Sequence, residues 1–206
     1  MDWLLAHWAD VLVALRQHVA IAATSLLIAL TLSLPIGIVA ARNAAVYRVA
    51  MAITGVLYTI PTLAFLALLI PVTGLGRANA ITCMVAFSLM ILVRNIATAV
   101  RAVPADVIEA ARGMGLHARE VLWRVELPLA APVIVAGVRI AAVTVISVAV
   151  VGAYVDAGGL GTLIFAGISN DHAAKIWVGA TAACLLAVTV DGLLACAERA
   201  LRARAA

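Results

Sequence analysis

Long apolar stretches with almost no charge restrict the fold of this chain more than any other feature. A helix that crosses a bilayer needs about 20 mostly apolar residues. The segment Leu4–Val13 is too short for that, so we expect an interfacial or periplasmic segment over residues 1–14, with Trp3 and Trp8 at the headgroup level. The alternative is that this segment joins the first span in one longer helix. We predict five spans, at residues 19–41, 49–71, 78–100, 131–154 and 176–197.

The composition excludes a soluble fold. Hydrophobic residues make up 66% of the chain and charged residues 12%, whereas soluble domains have about 45–50% and about 25%. Too few polar residues remain to cover an apolar core of this size, so the bilayer must serve as part of the solvent. We predict an all-α, polytopic membrane helix bundle over residues 15–198, followed by a basic cytoplasmic tail at residues 199–206.

The positions of the basic residues predict the orientation of the bundle. If the long polar loop at residues 101–128 is cytoplasmic, nine arginines flank the spans on that side and three basic residues lie outside. Cytoplasmic loops carry an excess of Lys and Arg. We therefore expect the N-terminus outside and the C-terminus inside.

The loop at residues 101–128 is predicted to form two short helices. Pro104 suits the first position of a helix, Asp106 complements its positive end, and Gly115 suits a left-handed helix end. A second helix is expected from Ala118 to Glu126, ending before Pro128. From spacing alone, the loop is either a docking surface or a solvated connection.

Charged residues inside the predicted spans are Arg94, Arg139 and Asp191. Charge within a membrane is costly and usually faces a partner or water. We hypothesise that Asp191 neutralises Arg139 or Arg94. The alternative is that both arginines extend to the interface separately.

Two further segments depart from regular helix. Pro61, three residues after Tyr58, marks a break in the second span that either lines a cavity or is a packing kink. Tyr58 also offers a π-face that suits a quaternary ammonium group. After the fourth span, Gly158, Gly159 and Gly161 permit a tight re-entrant turn, although a plain loop fits equally well.

No residues in the sequence suggest catalysis or metal binding. The chain has a single lysine, Lys175, and no phosphate-binding loop surrounds it. Cys83, Cys184 and Cys196 lie in apolar stretches without metal-ligand spacing, and we expect them to behave as small hydrophobes. We therefore predict that the chain is not an enzyme and holds no cofactor of its own.

One pattern resembles a known family signature. Glu109-Ala110-Ala111 is followed by Gly115, nine further residues and then Val125-Glu126-Leu127-Pro128. This resembles the Glu-Ala-Ala signature of type I ATP-binding-cassette (ABC) importer permeases, with Val125 in place of Ile. Other stretches resemble the osmoprotectant branch, which carries glycine betaine, carnitine and choline: Leu34–Ile38, Tyr58–Ala64, Arg94-Asn95, Ala110–Gly115 and Ala157–Gly161. That branch usually has Gln where Tyr58 stands.

The resemblance implies a MetI-like transmembrane fold in the bacterial inner membrane, working by alternating access. It implies as partners a cytoplasmic ATPase dimer that holds ATP and Mg, a second permease chain, an external binding protein and membrane lipid, but no nucleic acid. It also implies a pathway or gate role for Tyr58, Pro61, Asn95 and the three glycines near residue 159. The residues that the resemblance implies for ATPase coupling are Glu109, Ala110, Ala111, Arg112, Gly113, Gly115, Leu127 and Pro128.

Two alternatives to an osmoprotectant permease remain. One is an ABC permease for another small solute, such as an amino acid or a sulfonate. The other is a secondary transporter or channel that works alone. Such a transporter would be expected to carry several acidic residues at mid-membrane, and the sequence offers Asp191.

Overall fold

The computed structural model describes residues 2–205, apart from the side chains of Asp2, Leu4, Arg204 and Ala205. Met1 and Ala206, which the predicted N-terminal segment and basic tail include, lie outside the described residues. In chain order the elements are α1 (Asp2–Ala6), α2 (Trp8–Arg42), α3 (Ala44–Thr59), α4 (Thr62–Thr73), α5 (Arg77–Arg101), α6 (Ala105–Gly113), α7 (Ala118–Val121), a π-helical turn (Leu122–Glu126), α8 (Leu127–Val151), a 3-10 turn (Gly152–Val155), α9 (Leu160–Ser169) and α10 (Ala173–Ala205).

Four helices among residues 2–205 are long and apolar enough to cross a membrane, judged by length and composition. They are α2, α5, the continuous helix Ala118–Val155 and α10. The helices α3 and α4 pass the same test only as a pair. The structure therefore has up to five candidate spans, in agreement with the five predicted from the sequence.

The first span is longer than predicted. α2 runs without interruption from Trp8 to Arg42, so the prediction of a separate segment over residues 1–14 is wrong from Trp8 onward, and the alternative of one longer helix is correct there. At 35 residues, α2 measures about 52 Å, which exceeds the hydrocarbon core of about 30 Å. Polar residues near its N-terminus can therefore belong to the same helix and still lie outside the apolar layer.

The predicted break in the second span is present, and it divides the span into two helices. The axes of α3 and α4 meet at 103°. Ile60 is extended between them, with φ −70° and ψ 127°, as expected for a residue that precedes proline. The stretch at residues 49–71 is therefore a sharply bent pair of helices and not one straight span.

Asn79 of α5 contributes to the orientation of α4. Its side-chain amide donates to the carbonyl oxygen of Leu66 at 3.2 Å and to that of Gly74 at 3.0 Å. Asn79 and Leu66 are both buried, so the bond to Leu66 gives the buried amide a partner, while the bond to Gly74 lies nearer the surface.

The prediction that a helix ends before Pro128 is wrong. α7 continues through the π-helical turn directly into α8, because the N–H of Leu127 donates to the carbonyl of Leu122, five residues earlier. Pro128 has no N–H to donate, and it directly follows this wider turn, through which the helix continues into α8. The fourth span therefore begins before residue 131 and is continuous with the polar loop.

α5 forms the centre of the bundle and packs between α2 and α8. Small residues allow both close approaches. A Cβ built on Gly37 of α2 would lie 2.6 Å from Cγ2 of Ile96, and a Cβ built on Gly137 of α8 would lie 2.5 Å from Cβ of Asn95. α10 contributes little to this core, since Leu185, Val188 and Leu193 are among its exposed residues.

Candidate coupling and gating sites

α6 presents an exposed face beside the C-terminal end of α2. Glu109, Ala110, Arg112 and Gly113 are all exposed, whereas Ala111 is 2% exposed and faces the bundle. Four of the predicted coupling residues in this helix therefore form one accessible surface, and the fifth attaches that surface to the protein.

Gly115 ends α6 as predicted. Its φ is +88°, its N–H donates to the carbonyl of Arg112, and the next N–H, of Leu116, donates to the carbonyl of Ala111. These two bonds form a Schellman motif, which satisfies carbonyls at the helix end. Met114, at the end of α6, is 76% exposed and adds an apolar side chain to the accessible surface that the sequence interpretation did not single out.

Leu127 and Pro128 lie apart from α6, at the start of α8. Leu127 packs against the buried cluster that includes Ala29 and Ile96, and Pro128 is exposed. The two ends of the family signature therefore lie on different helices, and Leu127 contributes to packing between spans.

Both ends of the polar loop bind the C-terminal end of α2, and we call this set of contacts the C-terminal anchor. At the start of the loop, the guanidinium of Arg101 donates to the carbonyls of Ala40 and Ala41. At its end, Arg42 donates to Glu126 Oε2 at 2.8 Å. Glu126 is 5% exposed, whereas the side chain of Arg42 stays 48% exposed, so a buried carboxylate is paired with an arginine that water still reaches.

The sequence interpretation did not single out Arg42 or Arg101 as site residues. Both arginines contributed only to the orientation argument, and Glu126 occupies the free position of the Val-x-Leu-Pro pattern. An acidic residue inside an otherwise apolar pattern was the available signal. Its partner is 84 positions away, and no local pattern identifies it.

Arg139 of α8 lies between two carboxylates of α10. Its Nε and Nη2 donate to the two oxygens of Asp191, both at 3.0 Å, and its Nη1 donates to Glu198 Oε2 at 2.7 Å. Arg202 donates to the other oxygen of Glu198 at 2.7 Å. The expected pairing of Asp191 with Arg139 is thus present, and Glu198 and Arg202 complete a cluster with no net charge.

Arg94 and Asn95 lie elsewhere on α5. Within residues 2–205, Arg94 is exposed and forms none of the salt bridges of the structure. Asn95 donates to the carbonyl of Ile91 at 2.8 Å, and its Cβ lies against Gly137. Asn95 therefore lies at the contact between α5 and α8.

Tyr58 and Pro61 lie on the exposed side of the break between α3 and α4. Tyr58 is 43% exposed, and its ring packs on Phe87 in a T-shaped arrangement, with the ring centroids 5.8 Å apart. Phe65 stacks on the same Phe87 at 5.5 Å. The three aromatic rings therefore pack together at the break, and part of the Tyr58 side chain stays exposed.

The segment Ala157–Gly161, which we call the glycine segment, forms the predicted tight turn. Gly158 and Gly159 have φ of +84° and +87°, a region that favours glycine. Gly161 is needed for space, because a Cβ there would lie 2.0 Å from the carbonyl oxygen of Val150. The chain then continues into α9, which packs on α10.

Two adjacent residues near the N-terminal end of α2 bind the glycine segment, and we call these contacts the N-terminal anchor. Gln17 Oε1 accepts the N–H of Gly159 at 3.0 Å, and His18 Nδ1 accepts the N–H of Leu160 at 3.3 Å. The other ring nitrogen of His18 lies 3.1 Å from the carbonyl oxygen of Ile146. A backbone N–H can only donate, so His18 carries its proton on Nε2 and donates to Ile146.

The predicted site residues therefore occupy separate places along the bundle. Those of α6 lie beside the C-terminal end of α2, and the glycine segment lies against its N-terminal part. The contacts described here can transmit motion and select a solute, but they contain no arrangement of nucleophile and base.

The family comparison gives one match over most of the chain. A family described as "Binding-protein-dependent transport system inner membrane component" matches residues 33–203. The chain is 32% identical to the choline transport system permease protein OpuBB of Bacillus subtilis, over 98% of this chain and 93% of that one. It is 35% identical to the carnitine transport permease protein OpuCB of Listeria monocytogenes, over 95% and 90%. It is 36% identical to the osmoprotectant import permease protein OsmW of Salmonella typhimurium, over 86% and 85%.

Solved structures show a similar fold. A chain of the MetNI methionine ABC transporter, in inward-facing conformations, superimposes with a TM-score of 0.82 at 24% identity, over 97% of this chain and 96% of that chain. A second crystal form gives a TM-score of 0.83 at 23% identity. At this identity the similarity concerns the fold alone, and it confirms the predicted MetI-like helical architecture.

Proposed function

This chain belongs to the family of binding-protein-dependent transport system inner membrane components, and we propose that it translocates a quaternary-ammonium osmoprotectant of the glycine betaine, carnitine or choline type. It is a permease subunit and not an enzyme; its family implies a separate ATPase and a binding protein. The observation that carries the proposed solute is the similarity to choline, carnitine and osmoprotectant permeases over nearly the whole chain.

The exposed surface of α6 is the docking site for the ATPase. Support comes from the small side chain of Ala110 and from Gly113, which allow close approach, and from Glu109 and Arg112, which can form charge-assisted bonds at the edge of the contact. ATP and Mg belong to the ATPase dimer. Closure of that dimer moves α6 and the helices attached to the loop, and the pathway alternates between two orientations.

A second permease chain, identical or similar, completes the pathway. The exposed apolar side chains of α10 and α3, such as Leu185, Val188 and Ile53, are available for this chain and for lipid. The N-terminus lies outside and the C-terminus inside, since this orientation places Arg101, Arg112 and Arg124 on the cytoplasmic side.

The solute passes Tyr58 and the break at Pro61. Support comes from the partly free ring of Tyr58, whose π-face attracts a desolvated quaternary ammonium group. The three glycines of the glycine segment lie at the outer gate. Asn95 sets the spacing of α5 and α8 along the same route.

Uptake into proteoliposomes tests the proposed solute. The permease is reconstituted with its cognate ATPase and binding protein, with ATP inside the vesicles. We expect radiolabelled choline, carnitine or glycine betaine to accumulate, and methionine or taurine not to accumulate. Uptake of only an amino acid or a sulfonate would contradict the proposed solute, and concentrative uptake by the permease alone would contradict the dependence on an ATPase.

A further inference from the structure

The C-terminal anchor attaches α2 to the coupling loop at two points. Arg101 precedes α6 and binds the last carbonyls of α2, while Glu126 follows α6 and binds Arg42. Arg101 is also held in place by Tyr47, whose ring centroid lies 4.5 Å from the guanidinium carbon. A displacement of α6 that moves both ends of the loop must therefore either move α2 or break these bonds.

The N-terminal anchor attaches the same helix to the opposite gate region. Gln17 and His18 accept the N–H groups of Gly159 and Leu160, the residues at which α9 begins. His18 and Leu160 are fully buried, so water cannot replace the lost bonds, and breaking them leaves donors unpaired at a cost. A movement of α2 along or around its axis must therefore carry the glycine segment with it.

Between the two anchors α2 is continuous and closely packed. At about 1.5 Å per residue, the stretch from His18 to Arg42 spans about 36 Å, somewhat more than the hydrocarbon core of about 30 Å. The buried side of this stretch consists mainly of small residues, including Ala29, Ser33 and Gly37, and packs on α5. Pro35 has no N–H and removes one backbone hydrogen bond inside this stretch, but the helix continues through it. The close packing of the small residues on α5 opposes bending and sliding of the helix.

We propose that α2 is a rigid linking helix, and that Gln17 and His18 are positioning residues through which the coupling loop controls the glycine segment at the outer gate. That the motion starts at α6 and travels to the glycine segment rests on the proposed function, in which the ATPase acts at α6. The mechanical link itself depends only on the two anchors and the helix between them.

Hydrogen exchange measured by mass spectrometry tests the link on the full-length permease in lipid nanodiscs. Arg42→Gln removes the ion pair with Glu126, one of the two attachments of the C-terminal anchor, about 36 Å from His18. We expect peptides covering residues 157–162 to exchange about fivefold faster in this variant. Gln17→Met removes an acceptor directly from Gly159 and shows that the measurement detects opening of the segment.

The matched control is Thr31→Ala on the same helix. Thr31 is exposed and donates only to the carbonyl of Leu27 in its own helix, so exchange at residues 157–162 stays at the wild-type rate. The exchanged pair Arg42→Glu with Glu126→Arg restores the ion pair and returns the rate toward the wild-type value. If Gln17→Met accelerates exchange while Arg42→Gln combined with Arg101→Gln, which removes both attachments of the C-terminal anchor, leaves it unchanged, α2 does not link the two regions.

The reconstituted transporter gives a second, independent readout, the amount of choline or glycine betaine transported per ATP hydrolysed. We expect Gln17→Met and Arg42→Gln each to lower this ratio about threefold or more, and the double variant to be no worse than the more severe single variant. Multiplying effects in the double variant would mean that the anchors act separately, and would overturn the link. Failure of the wild-type protein to transport these solutes would instead contradict the proposed solute. The link through α2 would then be decided by the hydrogen-exchange measurement.

Discussion

Arg139 of α8 and Asp191 of α10 form a two-pronged ion pair, in which both guanidinium–carboxylate hydrogen bonds are 3.0 Å long. Glu198 lies two helical turns after Asp191 and binds a third nitrogen of the same guanidinium. This cluster connects α10, whose apolar side chains are largely exposed, to the centre of the bundle. The cluster therefore adds a polar contact to the apolar packing of Leu186 and Val190 in holding the C-terminal half of α10 on α8.

We predict that the ion pair stabilises the contact between α8 and α10 as a unit. Arg139→Gln and Asp191→Asn should each lower the unfolding temperature of the purified chain in detergent. Each substitution removes one partner of the ion pair and leaves the charge of the other without its bidentate hydrogen bonds. The double variant should be about as stable as Arg139→Gln alone. Stability losses that simply add in the double variant would show that the two residues do not act together. Arg94→Gln serves as the control, since Arg94 forms none of these bonds.

We predict that Gly115→Ala disrupts the end of α6 while Gly113→Ala does not. Gly115 has φ +88°, and an L-residue in the left-handed region costs about 1–2 kcal/mol. Gly113 is helical with open space around it, so alanine there favours the helix by about 1 kcal/mol. The free energy of unfolding in detergent, measured for both variants, checks this difference.

The Gly113→Ala variant also tests docking of the ATPase at α6. Binding of the ATPase should weaken in Gly113→Ala although the permease itself is not destabilised, because the added methyl group lies on the exposed surface. Wild-type affinity of Gly113→Ala for the ATPase in a pull-down titration would argue that α6 docks through a different face.

We predict that Gly37→Ala loosens the packing of α2 on α5. The added Cβ would lie 2.6 Å from Cγ2 of Ile96, and overpacking of this kind costs about 1–3 kcal/mol. Gly55→Ala is the matched control, since its Cβ meets nothing within 4 Å. The stability of both variants is measured by unfolding in detergent. Adding Gly37→Ala to the Ile96→Ala variant should restore part of the stability that Ile96→Ala alone loses. Equal stability of the Gly37→Ala and Gly55→Ala variants would contradict the close contact.

We predict that the ring of Tyr58 contributes to solute passage through its π-face. Tyr58→Ala should raise the KM for ATP-driven choline uptake about two- to thirtyfold, which corresponds to the 0.5–2 kcal/mol typical of cation–π contacts. Tyr58→Phe should retain nearly wild-type uptake, since the ring and its contact with Phe87 remain. If phenylalanine and alanine impair uptake equally, the hydroxyl group and not the π-face is what matters.

Several features follow from short stretches of sequence, and these were predicted correctly. The apolar stretches, the break at Pro61, the helix end at Gly115 and the turn at Gly158 and Gly159 each depend on residues close together in the chain. Proline and glycine act on the backbone at their own positions, so their effects can be predicted without tertiary structure. The continuation of the helix past Pro128 was missed because a π-helical turn depends on how the flanking helices pack.

The sequence by itself determined that the chain is a membrane helix bundle with a polar loop that matches a permease signature, because hydropathy and local spacing are properties of short windows. Only the tertiary structure decided which distant polar groups meet: Asp191 with Arg139 and not Arg94, Arg42 with Glu126 across 84 positions, and Gln17 with Gly159 across 142. The physical reason is that such pairs depend on the rotation and depth of each helix relative to its neighbours. Those are set by packing of whole helix faces, such as Gly37 against Ile96, which no local pattern specifies.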